Sequence, residues 1–317
     1  MKKGKLYFIF FAGFISIVIL ASAFMFYTNK VNSDKKYSRL EHAEPDKPKN
    51  SSESKSSEAE KPEDLYSSPV TSAPWENDGS FKRKQAESNT PVLMAAYRTV
   101  LRDPLPGEEY NVHLAAQMLA GTLVKPGETF SQNDSIGPYT EARGFKAGPA
   151  YIGFNLSTSV GGGVCKIAST LYNVAVLSNL DIVERHAHGM PVPYVPYGQD
   201  ATVSYGAQDF KFKNATDSPV LIWAQGVDNI LYMGFYGKSK PPKIEWRHET
   251  FEAKKASNVY KKNPSLPAGT EKKVSDGMDG ASVKSWIILE WPDGVRETRQ
   301  MGKSVYAPMP NVFEANR

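Results

Sequence analysis

The sequence predicts an α+β protein in which a cysteine-bearing helix packs on an antiparallel sheet. A small all-β module follows this domain, and an N-terminal transmembrane helix precedes it. Three observations predict this arrangement. After the glycines at 161–163, apolar side chains recur every three to four residues to about Asn179, which is typical of a helix. Beyond Asn179 the apolar residues recur every second residue, which is typical of strands. Residues 6–27 are almost wholly apolar.

The apolar segment 6–27 predicts a membrane anchor. At about 1.5 Å per residue, a helix of this length spans a hydrocarbon core of about 30 Å. Lysines dominate the short segment 1–5, so the positive-inside rule predicts a cytoplasmic tail and an extracellular C-terminal bulk. The small residues Ala21-Ser22-Ala23 leave a cleaved signal peptide as the alternative. We expect a single-pass membrane protein whose folded part lies within the cell wall.

Residues 28–91 predict a disordered linker. Ser, Glu, Lys and Pro dominate the segment, and apolar side chains are scarce. Such a composition does not bury enough apolar surface to offset the entropy of ordering. A flexible chain of about 60 residues has a root-mean-square span of roughly 40–50 Å. The linker would therefore act as a tether that holds the folded part off the membrane.

Residues 92–237 predict the main domain. The segment VHLAAQMLAGTLV, which begins at Val112, has the apolar spacing of a helix. After the cysteine-bearing helix, the segments LDIVERHAH, DATVSYG, DFKFKN, VLIWAQG and ILYMGFYG predict strands separated by turns. The prolines of SKPPK mark a boundary after Gly237. Residues 238–317, with turn sequences PAGT, DGMDGA and PDG, predict the separate all-β module.

The charge balance argues against a nucleic-acid partner. The formal net charge is +4 and the sequence pI is about 8.8, which is too balanced for a polyanion-binding protein. A mildly basic chain tolerates an anionic wall or membrane surface. No cofactor-binding motif is evident, and we predict no cofactor.

Cys165 is the only cysteine of the chain, so it forms no intramolecular disulfide. It directly follows SVGGGV and begins the predicted helix. A thiol in the first turn of a helix has a lowered pKa, because the helix dipole and unpaired N–H groups favour the thiolate. The same N–H groups would stabilise an oxyanion during acyl transfer. Cys165 is therefore a candidate nucleophile, with a buried structural cysteine as the alternative.

A cysteine nucleophile requires a base, and the motif ERHAH offers two. His186 and His188 would point to the same face of a strand, and either is a candidate base for Cys165. A third group normally orients the histidine. Asp200 is the candidate for this role, with Asp209 and Glu184 as alternatives.

A zinc site is a further alternative for the same residues. Cys165, His186, His188 and Asp200 are all potential zinc ligands. The paired cysteine signature of a structural zinc site and the HExxH motif are both absent from the sequence. We therefore predict no metal.

Four blocks together resemble the VanW-like domain of Gram-positive cell-surface proteins. In chain order they are NVHLAAQMLAGTLVKPGETFSQNDSIG, SVGGGVCKIASTLYNVAV, VERHAHGMPVPYVPYGQDATVSYG and DFKFKNATDSPVLI. Some members of this family look like L,D-transpeptidases that use the motif cysteine as nucleophile. The resemblance implies that Cys165 is the nucleophile, with His186 or His188 as base, in acyl transfer on peptidoglycan stem peptides.

Five residues in these blocks are candidates to bind substrate. These are Gly162, Gly163, Lys166, Ser169 and Arg185. Lys166 stands where most relatives have glutamine, and a lysine would keep a donor and add a positive charge that favours an anionic stem peptide.

The C-terminal segment resembles the glycine-rich G-five module, which is thought to contact wall glycans or adhesive partners. The matching stretches are NPSLPAGTEKKVSDGMDG and ILEWPDGVRETRQ. Two alternatives to a cross-linking enzyme stay open. One is a non-catalytic peptidoglycan-binding or scaffold protein, and the other is a thiol peptidase that cleaves peptidoglycan.

Overall fold

The computed structural model describes residues 67–101, 104–152 and 155–317. The predicted transmembrane segment and most of the predicted linker lie outside the described residues. Within the described ranges, no helix is long and apolar enough to cross a membrane. The described part is mainly β, with a few helices and mostly antiparallel sheets.

The regular elements are numbered in chain order. The helices in the described part are α1 (Gly79–Ser88), α2 (Glu108–Leu119), α3 (Gln132–Ile136) and α4 (Cys165–Leu177), with a 3-10 turn at Glu141–Arg143. Upstream of residue 238 the strands are β1 (Ser68–Val70), β2 (Val92–Val100), β3 (Thr122–Val124), β4 (Thr129–Ser131), β5 (Ala147–Ile152), β6 (Asn155–Val160), β7 (Asp181–Glu184), β8 (Lys211–Lys213), β9 (Val220–Val227) and β10 (Ile230–Gly237). Downstream they are β11 (Lys243–Lys254), β12 (Asn258–Lys262), β13 (Glu271–Ser275), β14 (Gly280–Glu290), β15 (Arg296–Tyr306) and β16 (Asn311–Ala315).

A five-stranded antiparallel sheet is the platform of the main domain. Its strand order is β1-β2-β10-β9-β3. Helices α2 and α4 pack on it, because β9 and β10 are rich in the large apolar side chains that a helix face covers. Two smaller sheets, β4-β8-β7 and the β5-β6 hairpin, complete the domain.

Helix α4 is central to the fold. Every residue from Ile167 to Val176 is buried, so the helix is covered on all sides and not only on the predicted apolar face. Two of its buried polar side chains bond to groups outside the helix. Thr170 pairs with Thr99 of β2 at 2.7 Å, and Asn173 Nδ2 donates to the carbonyl of Gln199 at 2.8 Å. Within the described residues, Asn173 Oδ1 is buried without a hydrogen-bond partner. The two bonds connect the middle of α4 to both the sheet and the His188–Asp200 region that follows it.

The predicted linker ends earlier than residue 91. The structure contains β1 and α1 within residues 67–91, and Asp78 caps α1 through bonds from the N–H groups of Ser80 and Phe81. Trp75 and Phe81 are buried in a small apolar cluster, and Trp75 Nε1 donates to the Tyr236 hydroxyl at 2.8 Å. The expectation of a linker up to residue 91 was wrong in this last part. Two isolated aromatic residues in a polar sequence carry the packing, and such a pair makes no periodic pattern.

The chain between β7 and Ala201 differs from the expected strands. Strand β7 ends at Glu184, and the segment DATVSYG makes only the isolated bridges of Thr202 with His186 and Ser204 with Gln208. Residues 185–200, which we name the His–Asp loop, therefore carry both candidate histidines and Asp200 on an irregular segment.

The C-terminal segment has only strands as regular elements, as predicted. Strands β11-β14-β15 form one antiparallel sheet, and β12-β16-β13 form a second in which β12 and β16 are parallel. Ile287 and Leu289 of β14 are buried in the apolar core that also contains α4. The Ala307 N–H donates to the Gly189 carbonyl at 2.9 Å. The first of these sheets therefore packs directly on the His–Asp loop.

Candidate functional site

The glycines before Cys165 set the path of the chain into α4. Gly161 and Gly163 have φ angles of +80° and +103°, a region that favours glycine. A Cβ on Gly162 would lie 2.2 Å from the backbone of Gly148 in β5. Gly162 is buried by this close approach, which gives it a packing role in place of the predicted substrate contact. Gly163 is half-buried beside Glu108.

Cys165 is the first residue of α4, as expected, and it is partly exposed. Its Sγ lies 3.4 Å from the Thr202 hydroxyl and 3.7 Å from the carbonyl of Val203. Within the described part of the chain, the N–H of Cys165 makes no backbone hydrogen bond. That N–H, at the positive end of the helix, is free to donate to an oxyanion.

His188 is the histidine that interacts with the thiol, since each of the two groups shifts the pKa of the other. Its Nδ1 lies 2.7 Å from Asp200 Oδ2, and its own backbone N–H donates to the same oxygen at 2.7 Å. Because Nδ1 is engaged by Asp200, Nε2 is the nitrogen available to Cys165. The His188 side chain is 13% exposed, so the pair is shielded yet reachable from solvent.

Asp200 is the buried carboxylate of the group. It is 1% exposed, and its Oδ1 accepts from Arg185 at 2.9 Å and from the Tyr306 hydroxyl at 2.5 Å. Burial opposes ionisation, but the bond from His188 and the charges of Arg185 and His188 lower the pKa of Asp200 below its usual value. The carboxylate is therefore ionised at neutral pH and orients the imidazole.

The pKa values of the thiol and the imidazole favour an ion pair near neutral pH. Burial raises the pKa of Cys165, but the hydrogen bond and charge of His188 outweigh it and lower that pKa to about 7. Burial likewise disfavours the imidazolium, but the bond to Asp200 and the contact with Cys165 raise the pKa of His188 to about 9. Between these values the thiolate and the imidazolium coexist, which is the reactive state of a cysteine nucleophile.

The structure separates the two histidines that the sequence left as alternatives. His186 Nε2 lies 2.9 Å from Glu184 Oε1, and its side chain is 38% exposed. Lys211 pairs with the same Glu184 at 2.8 Å. His186 thus belongs to a surface charge cluster and does not contact Asp200. The two histidines point apart because they lie on the irregular loop, where the alternation of a strand does not hold.

Asp209 is also placed away from the thiol–imidazole pair. Its carboxylate accepts from the Ser131 hydroxyl at 2.5 Å and from the N–H of Asn133 at 3.0 Å. These bonds hold the start of α3. Of the three acidic residues that were considered as the orienting group, only Asp200 contacts His188.

Two predicted substrate-binding residues have close partners within the protein. Lys166 forms an ion pair with Glu108 and lies 4.7 Å from the ring centroid of Tyr194. Ser169 is fully buried, and its hydroxyl bonds both the N–H and the carbonyl of Ala201. Ser169 therefore has no exposed surface with which to contact substrate.

Arg185 acts on the buried side of the site. Its Nε donates to the Asp200 carbonyl at 2.7 Å, and one terminal nitrogen donates to the Asp200 carboxylate. The other terminal nitrogen donates to the Ser304 hydroxyl at 2.9 Å. Arg185 therefore holds Asp200, and its contact with substrate stays a prediction.

The zinc alternative has no geometric basis in the described residues. They contain no group of three or more His, Cys, Asp or Glu side chains placed to hold a metal ion. His186 points away from the other three candidate ligands, toward Glu184.

Several residues of the site gave no signal in the sequence. Tyr194 is buried and Tyr139 is half-buried near the thiol, and desolvation together with the charge of Cys165 raises their pKa values. Thr202 contacts Sγ directly. Tyr306 and Ser304 reach the site from β15, more than a hundred residues after Asp200 and Arg185. Only the tertiary fold brings them there, so no local motif identifies them.

Residues 107–236 match the family of VanW like proteins. Over 143 residues the chain is 38% identical to the uncharacterized protein YoaR of Bacillus subtilis strain 168, covering 45% of this chain and 47% of that protein. Over 119 residues it is 36% identical to the vancomycin B-type resistance protein VanW of Enterococcus faecalis, covering 36% and 43%. The chain thus spans less than half the length of these curated relatives.

Two solved structures of G5 domains also align with part of the chain. The G5 domain of an IgA1 protease covers 24% of this chain and 92% of that structure, with 23% identity and a TM-score of 0.16. The HP0197-G5 structure covers 23% of this chain and 97% of that structure, with 16% identity and a TM-score of 0.14.

Proposed function

Because this chain contains a VanW-like domain in residues 107–236, we propose that it is a cell-wall enzyme that performs cysteine-dependent acyl transfer on peptidoglycan stem peptides. The observation that carries the proposal is the hydrogen-bonded chain from Asp200 to His188, with the thiol of Cys165 beside the imidazole. The relative named for vancomycin resistance supports a role at the cell wall. The reaction that best fits is an L,D-transpeptidase-like cross-linking.

The first half of the reaction forms a thioester. The Cys165 thiolate attacks the carbonyl carbon of a stem-peptide amide, and the carbonyl oxygen becomes an oxyanion. The free N–H of Cys165 at the start of α4 donates to that oxyanion. The C–N bond then breaks, and the imidazolium of His188 gives its Nε2 proton to the departing amine. Asp200 holds the ring in place throughout.

The second half regenerates the thiolate. An amine from a neighbouring stem peptide attacks the thioester carbonyl, and neutral His188 accepts the amine proton. The C–S bond breaks and a new amide bond links the two stems. Water in place of the amine would give hydrolysis, so exclusion of water decides between a transpeptidase and a peptidase. Buried Tyr194 and half-buried Tyr139 lie near the partly exposed thiol, and we expect them to limit the access of water to it.

The location follows from the sequence and is part of the proposal. The apolar segment 6–27 would anchor the chain in the cell membrane, and the folded part would lie outside, where peptidoglycan is the available substrate. Peptidoglycan is then the partner of the main domain. The C-terminal module would contribute contacts to wall glycan.

Purified muropeptides test the function directly. The full-length protein is incubated with stem peptides, and the products are identified by mass spectrometry. We expect cross-linked dimers with the wild-type protein and none with Cys165→Ala. Replacement of a thiol by a methyl group costs only about 1 kcal/mol of stability, so the variant should stay folded.

Any other set of products would indicate a different function. Shortened peptides without dimers would identify a peptidase and overturn the transfer step. Binding of muropeptides without any product, unchanged in Cys165→Ala, would identify a non-catalytic binding protein and overturn the enzymatic proposal.

A further inference from the structure

The C-terminal strand β15 reaches the buried end of the Cys165–His188–Asp200 group. The Tyr306 hydroxyl donates to Asp200 Oδ1 at 2.5 Å and accepts from the Gly198 N–H at 2.7 Å. Tyr306 is 2% exposed. Burial and the charge of Asp200 raise the pKa of Tyr306 to about 12, so its hydroxyl keeps its proton and donates at neutral pH.

A second residue of the same strand acts through Arg185. Ser304 lies two residues before Tyr306, and therefore on the same face of β15. Its hydroxyl accepts from one nitrogen of Arg185, while another nitrogen of Arg185 donates to Asp200 Oδ1. Both donors to this carboxylate oxygen are thus tied to one strand outside the VanW-like domain.

The His–Asp loop has little internal structure to hold its own shape. Its only ladder contact is the isolated bridge of His186 with Thr202. The module fits closely against it: Gly198 has a φ of +84°, and a Cβ there would lie 2.1 Å from the Ser285 hydroxyl of β14. The loop is therefore held between α4 on one side and the C-terminal sheet on the other.

We infer that Tyr306 is a positioning residue for the Cys165–His188–Asp200 group, and that the C-terminal module must be docked for Cys165 to be an activated thiolate. This inference rests on the proposed function. Without the hydroxyl, Asp200 Oδ1 loses one of two donors and the Gly198 N–H loses its acceptor. The carboxylate is then free to turn away from His188 Nδ1, and the imidazolium that stabilises the thiolate is weakened.

The test is the pH profile of alkylation of Cys165 by iodoacetamide, measured on the full-length protein. Cys165 is the only cysteine, so the label reports this thiol alone. Tyr306→Phe should move the midpoint of the profile upward by roughly half a pH unit or more, since one hydrogen bond to a charged group is lost. Ser304→Ala should move it in the same direction by a smaller amount.

Tyr197→Phe is the matched control. Tyr197 stacks on the Tyr306 ring at 5.2 Å, and its hydroxyl donates to the Asp279 carbonyl at 2.7 Å. It thus makes the same kind of contact across the same surface without touching Asp200. Its alkylation profile should match that of the wild type. If Tyr306→Phe acted only by loosening the module, Tyr197→Phe would be expected to shift the midpoint as well.

The outcomes separate this inference from the proposed function. A midpoint in Tyr306→Phe equal to the wild-type value, with the wild type activated, would overturn the positioning role alone. An upward shift of equal size in Tyr197→Phe would also overturn it. A wild-type midpoint near 9 would show an ordinary thiol, and would overturn the proposed function together with the inference.

Discussion

Replacement of His188 by alanine removes the feature that makes Cys165 acidic. The pKa of Cys165 is about 7, against an ordinary value of 9.0 for the same group. Burial acts in the opposite direction, and the bond and charge of His188 are the largest opposing contributions. Without His188 burial remains, so the thiol should titrate near 9 or above. The thiolate fraction at pH 7 would fall from about one half to about 1% or less.

The assay for this prediction is again the pH profile of iodoacetamide labelling. The midpoint is a better measure than the rate at one pH, because a thiolate of lower pKa is also intrinsically less nucleophilic, with a Brønsted coefficient of about 0.4–0.5. We expect the midpoint to move from near pH 7 to near pH 9 or above in His188→Ala. His186→Ala is the control and should leave the midpoint in place, because His186 pairs with Glu184. A shift in His186→Ala, or none in His188→Ala, would refute the assignment of the base.

Four further results are expected. Turnover should rise with pH near 7 as the Cys165 thiolate forms and fall near 9 as the His188 imidazolium loses its proton; a pH–rate profile with a single rising limb would contradict the ion pair. Trp75→Ala should lower the free energy of unfolding by about 3–5 kcal/mol in a denaturant titration, and a loss within about 0.5 kcal/mol would show that the N-terminal cluster is not part of the folded unit. Deletion of residues 30–59 should leave the melting temperature unchanged, since their composition predicts a tether; a clear drop would show that they pack on the fold. Protease added to wall-stripped cells should digest the folded part, and full protection would refute the proposed orientation.

The parts of the fold that the sequence predicted are those with strong periodicity. Strands β9 and β10 and helices α2 and α4 lie where the apolar spacing placed them, because long amphipathic or apolar segments have few alternative ways to bury their side chains. Helix α1 has no such pattern. It is held by its Asp78 cap and by the burial of Phe81 against distant strands, and neither contact is visible in a local window.

In the candidate site, too, some residues have a local signal in the sequence and others do not. Cys165 was predictable because a lone thiol after three glycines at a helix start is a local signal. The choice between His186 and His188 was not, because it depends on how the His–Asp loop turns after β7 ends at Glu184. Asp200 was one of three acidic candidates, and the sequence offered no means of measuring its distance to a histidine.

The cluster around Asp200 is better explained by positioning than by stability. Asp200 is 1% exposed, so its ionised carboxylate has a large desolvation penalty. The Coulomb attraction within a buried ion pair often fails to offset this penalty in the free energy of folding. Apolar side chains of similar volume at these positions would stabilise the fold at least as much. The Asp200 carboxylate accepts hydrogen bonds from Arg185, Tyr306 and the His188 N–H. Together these bonds hold the carboxylate in one orientation, although it lies on a loop without regular structure. Such constraint fits the role that we propose for Asp200, which is to hold the His188 imidazole in a fixed orientation. The arrangement is the one that the proposed function requires, and Tyr306 and Ser304 connect it to strand β15, which lies beyond residues 107–236.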